Sequence, residues 1–96
     1  MAKALIKVDV RSPASLQATL ESQHAYLSSH GGLRYFIYID NNKRNIGYVI
    51  FEWISLRSLN RFLESSEANK IFKDWPVVEI IEVLELYDIT EDINKE

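Results

Sequence analysis

The spacing of apolar residues divides the chain into two similar halves, residues 2–41 and residues 45–89. In each half, apolar positions recur first every two residues, then every three or four, then every two again. The first period is typical of a strand and the second of a helix. The chain is therefore predicted to be one α+β domain in the order βαββαβ, with a four-stranded antiparallel sheet and two helices on one face.

Local residues place the elements of the first half. Residues 3–11 alternate between apolar and charged positions, which predicts strand one. Ser12 followed by Pro13 is a helix start, because serine caps the first turn and proline suits the first helical position. A helix over about residues 13–30 follows from one apolar line, and Gly31 and Gly32 can end it. That line consists of Leu16, Leu20, His24 and Leu27.

The second half repeats the pattern. Strand two is predicted over residues 33–40, a polar hairpin over 41–45 and strand three over 46–54. Ser55 is the expected cap of helix two, which Ser65 and Ser66 break or cap again before Trp75 and Pro76 end it. Strand four covers residues 77–88. Its predicted faces are Val78, Ile80, Leu84 and Leu86 on one side and Val77, Ile81, Val83 and Tyr87 on the other. The domain is expected to span residues 1–89, with a charged, flexible tail at 90–96.

Strand three has no polar face. Its alternating sides are Gly47, Val49, Phe51 and Trp53 against Ile46, Tyr48, Ile50 and Glu52. Two helices cover only one side of a four-stranded sheet, and a wet apolar face would forfeit several kcal/mol. The pattern therefore predicts a homodimer that packs through the uncovered sheet face.

Composition narrows the class of protein. The 96 residues are 47% hydrophobic and 26% charged, which is typical of one compact domain. There is no cysteine, and the first strand alternates instead of forming an apolar run, so we expect a cytoplasmic protein without a signal peptide or membrane span. A net charge of −3 argues against a nucleic-acid partner, because binding phosphates needs a basic surface.

Residues 51–72, FEWISLRSLNRFLESSEANKIF, carry a resemblance to a known family. They resemble the strand-to-helix segment of the dimeric α/β-barrel superfamily, in its antibiotic-biosynthesis-monooxygenase-like branch or related small domains of unknown function. The matching residues are Glu52, Trp53, Phe62, Leu63, Ser65, Glu67 and Ala68. The resemblance implies a ferredoxin-like fold, a dimer that closes a barrel sheet to sheet, and a small aromatic or hydrophobic ligand between sheet and helices. If the chain is an enzyme, it implies a monooxygenase, isomerase or cyclase without cofactor.

Four residues are candidates for a ligand pocket: His24, Tyr35, Tyr48 and Trp53. No catalytic residue is assigned, although a neutral imidazole at His24 could act as a base. Each candidate also has a packing interpretation. For Trp53 it is a core ring whose indole nitrogen bonds a carbonyl, and for the tyrosines it is ordinary strand packing.

Other chemistries fit less well. The haem-degrading branch of the superfamily uses a histidine on helix two, and residues 56–75 contain none. No spacing of His, Asp or Glu predicts a metal site. Residues 44–51, RNIGYVIF, partly match an RNA-recognition motif, but position 46 and Ile6 lack the aromatic side chains on which bases stack. A non-catalytic ligand-binding or structural dimer remains the main alternative, and an RNA module remains a lesser one.

Overall fold

The computed structural model of the chain describes residues 2–87. The predicted end of the domain at residue 89 and the predicted tail at 90–96 lie outside these residues. The elements run in the order β1 (Ala2–Val10), α1 (Pro13–Ser29), β2 (Gly32–Ile39), β3 (Ile46–Trp53), α2 (Leu56–Glu64), α3 (Ser66–Lys73) and β4 (Val77–Tyr87).

The sheet has the strand order β2-β3-β1-β4, and every neighbouring pair is antiparallel. The three helices pack on one side of it, which we call the helix side, and the other side is the open side. This is the predicted ferredoxin-like arrangement, with the second helix divided into two. No helix within residues 2–87 is long and apolar enough to cross a membrane.

Serine side chains fix where the helices begin. The Ser12 hydroxyl accepts a hydrogen bond from the Ser15 amide, with Pro13 at the first helical position. Ser55 caps α2 in the same way. Ser65 lies between α2 and α3 in an extended conformation, and its hydroxyl accepts a hydrogen bond from the Ala68 amide. The predicted second cap at this position is confirmed, and it explains why one amphipathic segment forms two short helices.

The core lies between the helix side of the sheet and the helices. Alternate residues of β1 and β3 face it, and each is at most 1% exposed. These strand residues are Ala2, Ala4, Ile6, Val8, Val10, Val49, Phe51 and Trp53. The helices contribute the residues that pack on them, which are Leu16, Leu20, Leu27, Leu59, Phe62, Ala68 and Ile71. Apolar contact over β1 and β3 stabilises the domain by removing those side chains from water. On β4, Val83 and Tyr87 lie on the same side but are exposed.

The buried line of α1 differs from the prediction at one position. His24 is exposed, and Gln23 is buried in its place. The Gln23 amide donates to the Ile71 carbonyl at 3.2 Å and accepts from the Trp75 indole nitrogen at 3.0 Å. A buried amide is tolerated here because both its polar ends have partners on or beside α3.

β4 also differs from the prediction, because its pairing with β1 shifts register twice. One shift leaves Val78 as an extra residue in β4, and the other leaves Ile81. A bulge of this kind changes the face on which the following residues lie. Ile80 therefore faces the helix side, while Leu84 and Leu86 face the open side. The predicted grouping of these three residues on one face was wrong.

Candidate functional site

A pocket lies between α1 and β2 on the helix side of the sheet. Three of the four predicted pocket residues, His24, Tyr35 and Trp53, line it together. The other side chains and backbone around it belong to Leu27, Ser28, Gly32, Leu33, Arg34 and Phe51. The wall is mainly apolar, with an imidazole and a phenol at its polar edge, which is a composition typical of small-molecule sites.

The pocket is almost closed in this structure. The total empty space, including its open mouth, is about 250 Å³, but the space that can hold the centre of a water molecule is only about 10 Å³. That is the room for about one water. A ligand with even one aromatic ring therefore requires the wall between α1 and β2 to move apart.

The turn from α1 to β2 forms the floor of the pocket and requires glycine. Gly31 has φ of +107°, a conformation that side chains with a Cβ rarely adopt. A Cβ at this position would also lie 2.6 Å from the Ser58 hydroxyl and 2.9 Å from the Trp53 indole nitrogen. The close approach of the backbone lets the His30 carbonyl accept hydrogen bonds from both groups, at 3.1 Å from Trp53 and 3.0 Å from Ser58.

Trp53 is therefore held in place, with its indole nitrogen bonded to a carbonyl as the packing interpretation expected. Its ring is fully buried and stacks on Phe62 at 4.8 Å between ring centroids. Within residues 2–87 its single donor is already satisfied, so Trp53 contributes a rigid pocket wall instead of a hydrogen bond to a ligand.

Tyr35 and His24 form the polar edge. Burial raises the pKa of the Tyr35 hydroxyl above its ordinary value, and the nearby Glu21 carboxylate raises it further. The phenol is therefore neutral at physiological pH and available as a hydrogen-bond donor. His24 reaches the pocket from the exposed surface of α1. Both groups can meet a ligand that enters from solvent.

Tyr48 does not join the other three residues. It pairs with Lys7 and Tyr38 across the open side, so the sheet separates it from the pocket. The alternation of β3 already placed Tyr48 and Trp53 on opposite faces, and that signal was sufficient to exclude Tyr48. Leu33 is one of the lining residues that the sequence analysis missed. The register shift between Gly32 and Arg34 makes Leu33 an extra residue at the mouth, 47% exposed, which strand alternation does not predict.

The open side carries four rows of side chains that cross the strands. The rows are Arg34, Glu52, Lys3 and Leu86; then Phe36, Ile50, Leu5 and Leu84; then Tyr38, Tyr48, Lys7 and Glu82; then Ile46, Asp9 and Glu79. Apolar residues dominate only the second row. This side is therefore mixed, with an apolar and aromatic centre between charged ends.

Among residues 2–87, Glu52 is the one residue of this side that is buried, with its side chain 6% exposed. Arg34 covers it and forms a hydrogen-bonded ion pair with one carboxylate oxygen, and the Lys3 ammonium lies 3.4 Å from the other. The hydrogen bond from Arg34 is the main cause that holds the Glu52 pKa below its ordinary value, although burial acts in the opposite direction.

The structure also bears on the RNA and metal alternatives. Ile6, where an RNA-recognition motif would need an aromatic, faces the core and is fully buried. The open side therefore has no base-stacking platform on β1. Within residues 2–87, no three His, Asp or Glu side chains are close enough to hold a metal ion together.

The fold places the chain in the class of ferredoxin-like α+β proteins. No family model matches the sequence, and no curated protein matches it. Solved structures do match in shape. One is a provisionally assigned antibiotic biosynthesis monooxygenase from Bordetella bronchiseptica, with a TM-score of 0.74 and 10% identity over 93% of this chain and 97% of that one.

Two further structures agree with this class. SnoaB, a cofactor-independent oxygenase from Streptomyces nogalater, has a TM-score of 0.73 and 13% identity over 98% of this chain and 97% of that one. A provisionally assigned antibiotic biosynthesis monooxygenase from Deinococcus radiodurans has a TM-score of 0.65 and 16% identity over 100% of this chain and 99% of that one. At these identities the likeness confirms the predicted fold, and activity needs its own argument.

Proposed function

We propose that this chain is a homodimeric protein that binds a small aromatic or hydrophobic molecule between α1 and β2, with cofactor-independent monooxygenase-like chemistry as its candidate activity. The proposal includes the predicted cytoplasmic location. The ligand-binding part of the proposal rests on one observation, which is that His24, Tyr35 and Trp53 line the same apolar pocket. An apolar wall would bind the ring of such a ligand, and the two polar groups would orient its hydroxyl or carbonyl oxygen.

The candidate chemistry uses dioxygen as the oxidant: one oxygen atom enters the ligand, the other leaves as water, and the ligand itself supplies the electrons in place of a cofactor. His24 is positioned to take a proton from a ligand hydroxyl, and Tyr35 to donate a hydrogen bond to the oxygen that then carries charge. SnoaB, which is similar to this chain in fold, is a cofactor-independent oxygenase. An isomerase or cyclase would use the same proton transfer.

Entry of the ligand requires β2 to separate from α1 at the bulge. Leu33 is exposed and adds an extra residue to the strand, so it can move with little loss of sheet hydrogen bonding. Gly31 and Gly32 precede it and permit a change of backbone conformation. The floor, held by the bonds from Trp53 and Ser58 to the His30 carbonyl, would stay fixed.

The dimer part of the proposal rests on the open side. Phe36, Ile50, Leu5 and Leu84 form an apolar row, and none of the three helices covers it. Leu84 is 41% exposed and Leu86 equally so. Apolar patches of this kind on a small domain are typical of interaction surfaces. A second sheet packed on this side would cover the row.

The binding proposal is tested by NMR titration of the full chain with hydroxylated one-, two- and three-ring aromatic compounds. The two indole N–H signals serve as probe and internal control, because Trp53 lines the pocket and Trp75 bonds Gln23 behind α1. We expect saturable shifts of the Trp53 signal and little change in that of Trp75. Equal, non-saturating shifts of both would contradict a ligand site at this pocket.

A matched pair of variants sharpens the test. Ser28→Trp places a large ring at the pocket, whereas Ser29→Trp changes the next exposed serine, which does not line it. We expect the first change to abolish the titration and the second to leave it intact. If the dimer persists but none of the compounds bind, the structural-dimer alternative is correct. Oxygen consumption with the compound that binds then separates a monooxygenase from a binding protein.

A further inference from the structure

The pocket between α1 and β2 has a carboxylate at its mouth. Glu21 precedes His24 by three positions and Ser28 by seven, so the three residues share the face of α1 that borders the pocket. Glu21 is exposed, and it is the only Asp, Glu, Lys or Arg residue in α1. The helix therefore brings a single carboxylate to the pocket mouth.

Glu21 lies level with Tyr35. The turn at His30 and Gly31 joins α1 to β2, and the two elements pack against each other. Glu21 is nine residues before His30, or about 13 Å along a helix. Tyr35 is four residues after Gly31, or about 13 Å along a strand. The effect of the Glu21 carboxylate on the pKa of Tyr35, second to that of burial, agrees with this placement.

No cation of the described residues neutralises this carboxylate. Within residues 2–87, Glu21 forms no ion pair. Arg34 is the one Lys or Arg among the residues that line the pocket, but the register of β2 places its side chain on the open side, where it pairs with Glu52. The mouth therefore carries a negative potential, which attracts cations and repels anions.

The charge of Glu21 also bears on the proposed chemistry. Proton transfer to His24 leaves negative charge on the ligand oxygen, and a nearby carboxylate of the same sign opposes that charge. A cation on the ligand itself offsets the repulsion. An alkylamine attached to the ring is such a group, because it is protonated at neutral pH in the same way as a lysine side chain.

We infer that the pocket selects a ligand in which a protonated alkylamine is attached to an aromatic ring, with the ring on the apolar wall and the amine at Glu21. This inference rests on the proposed ligand site and names the class of ligand. Phe51 and Trp53 supply the wall for the ring. His24 and Tyr35 bind a hydroxyl or carbonyl oxygen of the same ligand.

Three probes of nearly equal size test the charge preference. They are 2-phenylethylamine, 2-phenylethanol and phenylacetate, which are cationic, neutral and anionic at neutral pH. Each is titrated into the full chain while the Trp53 indole N–H signal is followed by NMR. We expect the amine to bind about fivefold more tightly than the alcohol, the upper range for an exposed ion pair, and phenylacetate to bind most weakly. Added salt should reduce the preference, because it screens exposed charges.

Variants assign the preference to Glu21. Glu21→Gln should bind the amine and the alcohol about equally, and Glu21→Lys should favour phenylacetate. Glu64→Gln removes the same charge from an exposed position on α2 that does not line the pocket, so it should keep the wild-type order. The indole signals of Trp53 and Trp75 without ligand check that each variant is folded.

The outcomes separate this inference from the proposed function. If hydroxylated aromatic compounds bind but the three probes bind equally or not at all, the pocket binds ligands and the assigned charge preference is wrong. The preference is also wrong if Glu21→Gln keeps the wild-type order. If neither the probes nor the hydroxylated compounds shift the Trp53 signal in a saturable way, the ligand site itself is wrong and this inference fails with it.

Discussion

The two sides of the sheet are built from alternate residues of the same strands, yet they differ in what stabilises them. On the helix side, β1 presents only alanine, valine and isoleucine, and all are buried. On the open side, the intervening residues Lys3, Leu5, Lys7 and Asp9 are half-buried and mostly charged. Over β1 and β3 the helix side is covered by helices of its own chain, whereas Val83 and Tyr87 of β4 remain exposed on that side. The open side is a mixed surface, and in our account its stability depends on a second copy.

This difference has a measurable consequence. Removing a helix-side contact should destabilise the folded chain by the same amount at every protein concentration. Removing an open-side contact should matter most at concentrations where the dimer forms, because association adds to the stability of the folded state by mass action. The dependence of the stability loss on protein concentration therefore distinguishes the two sides better than the size of the loss in any one variant.

The largest effect is expected from Trp53→Ala. The change empties the space of a fully buried ring that packs on Phe51 and Phe62, and it leaves the His30 carbonyl with only Ser58 as donor. We expect the free energy of unfolding to fall by about 3–5 kcal/mol, as for other buried aromatic residues. Urea unfolding at two protein concentrations measures it. The loss should be equal at both, and a loss below 1 kcal/mol would contradict the assigned packing.

A smaller effect is expected from Gly31→Ala. Alanine at φ of +107° is strained, and its Cβ would meet Ser58 and Trp53. We expect a loss of about 2–3 kcal/mol by urea unfolding.

Gly47→Ala is the matched control for that change. Gly47 does not have a positive φ, and the nearest atom to a new Cβ is the flexible end of Ile39 at 3.1 Å. We expect its cost to stay within about 1 kcal/mol. Equal losses of unfolding free energy in Gly31→Ala and Gly47→Ala would show that the turn does not require glycine at position 31.

Glu52→Gln tests the ion pairs of Glu52 with Arg34 and Lys3 and should have the smallest effect. The pKa of Glu52 is held below its ordinary value of 4.5, chiefly by Arg34. Its contribution is therefore fully present above the pKa of the unfolded chain and is lost as pH falls through the folded-state pKa. Because Arg34 is largely exposed, we expect Glu52→Gln to lower the free energy of unfolding by only about 1 kcal/mol at pH 7.

The pH dependence identifies the source of that loss. Between pH 7 and pH 3 the wild-type free energy of unfolding should fall by about 1 kcal/mol more than that of Glu52→Gln. Glu82→Gln, at an exposed open-side carboxylate, is the control and should follow the wild type. Identical pH profiles for the wild type and Glu52→Gln would exclude the ion pair as a source of stability.

The order of elements could be predicted from the sequence because each depends on local signals. Alternation in β1 and β3, the caps at Ser12, Ser55 and Ser65, and the glycine turn after α1 are all set by neighbouring residues. The bulges at Leu33 and in β4 could not be predicted, since each depends on the register against another strand.

Part of the candidate site could be predicted for the same reason. Tyr35 and Trp53 share a sheet face by alternation, and His24 lies on the side of α1 that faces β2. Positions 23 and 24 both fit the helical period of the apolar line. Which of them is buried was decided by α3 and the residues that follow it, because the Ile71 carbonyl and the Trp75 indole bind Gln23. Such long-range partners are not visible in the local pattern.

Sedimentation equilibrium of the full chain at micromolar concentration tests most directly whether a second copy covers the open side. Our account predicts a particle of twice the 11.2 kDa mass of one chain. It also predicts that Ile50→Lys, in the middle of the apolar row, converts this particle to a folded monomer. A wild-type chain that sediments at 11.2 kDa throughout this range, without aggregation, would contradict the account.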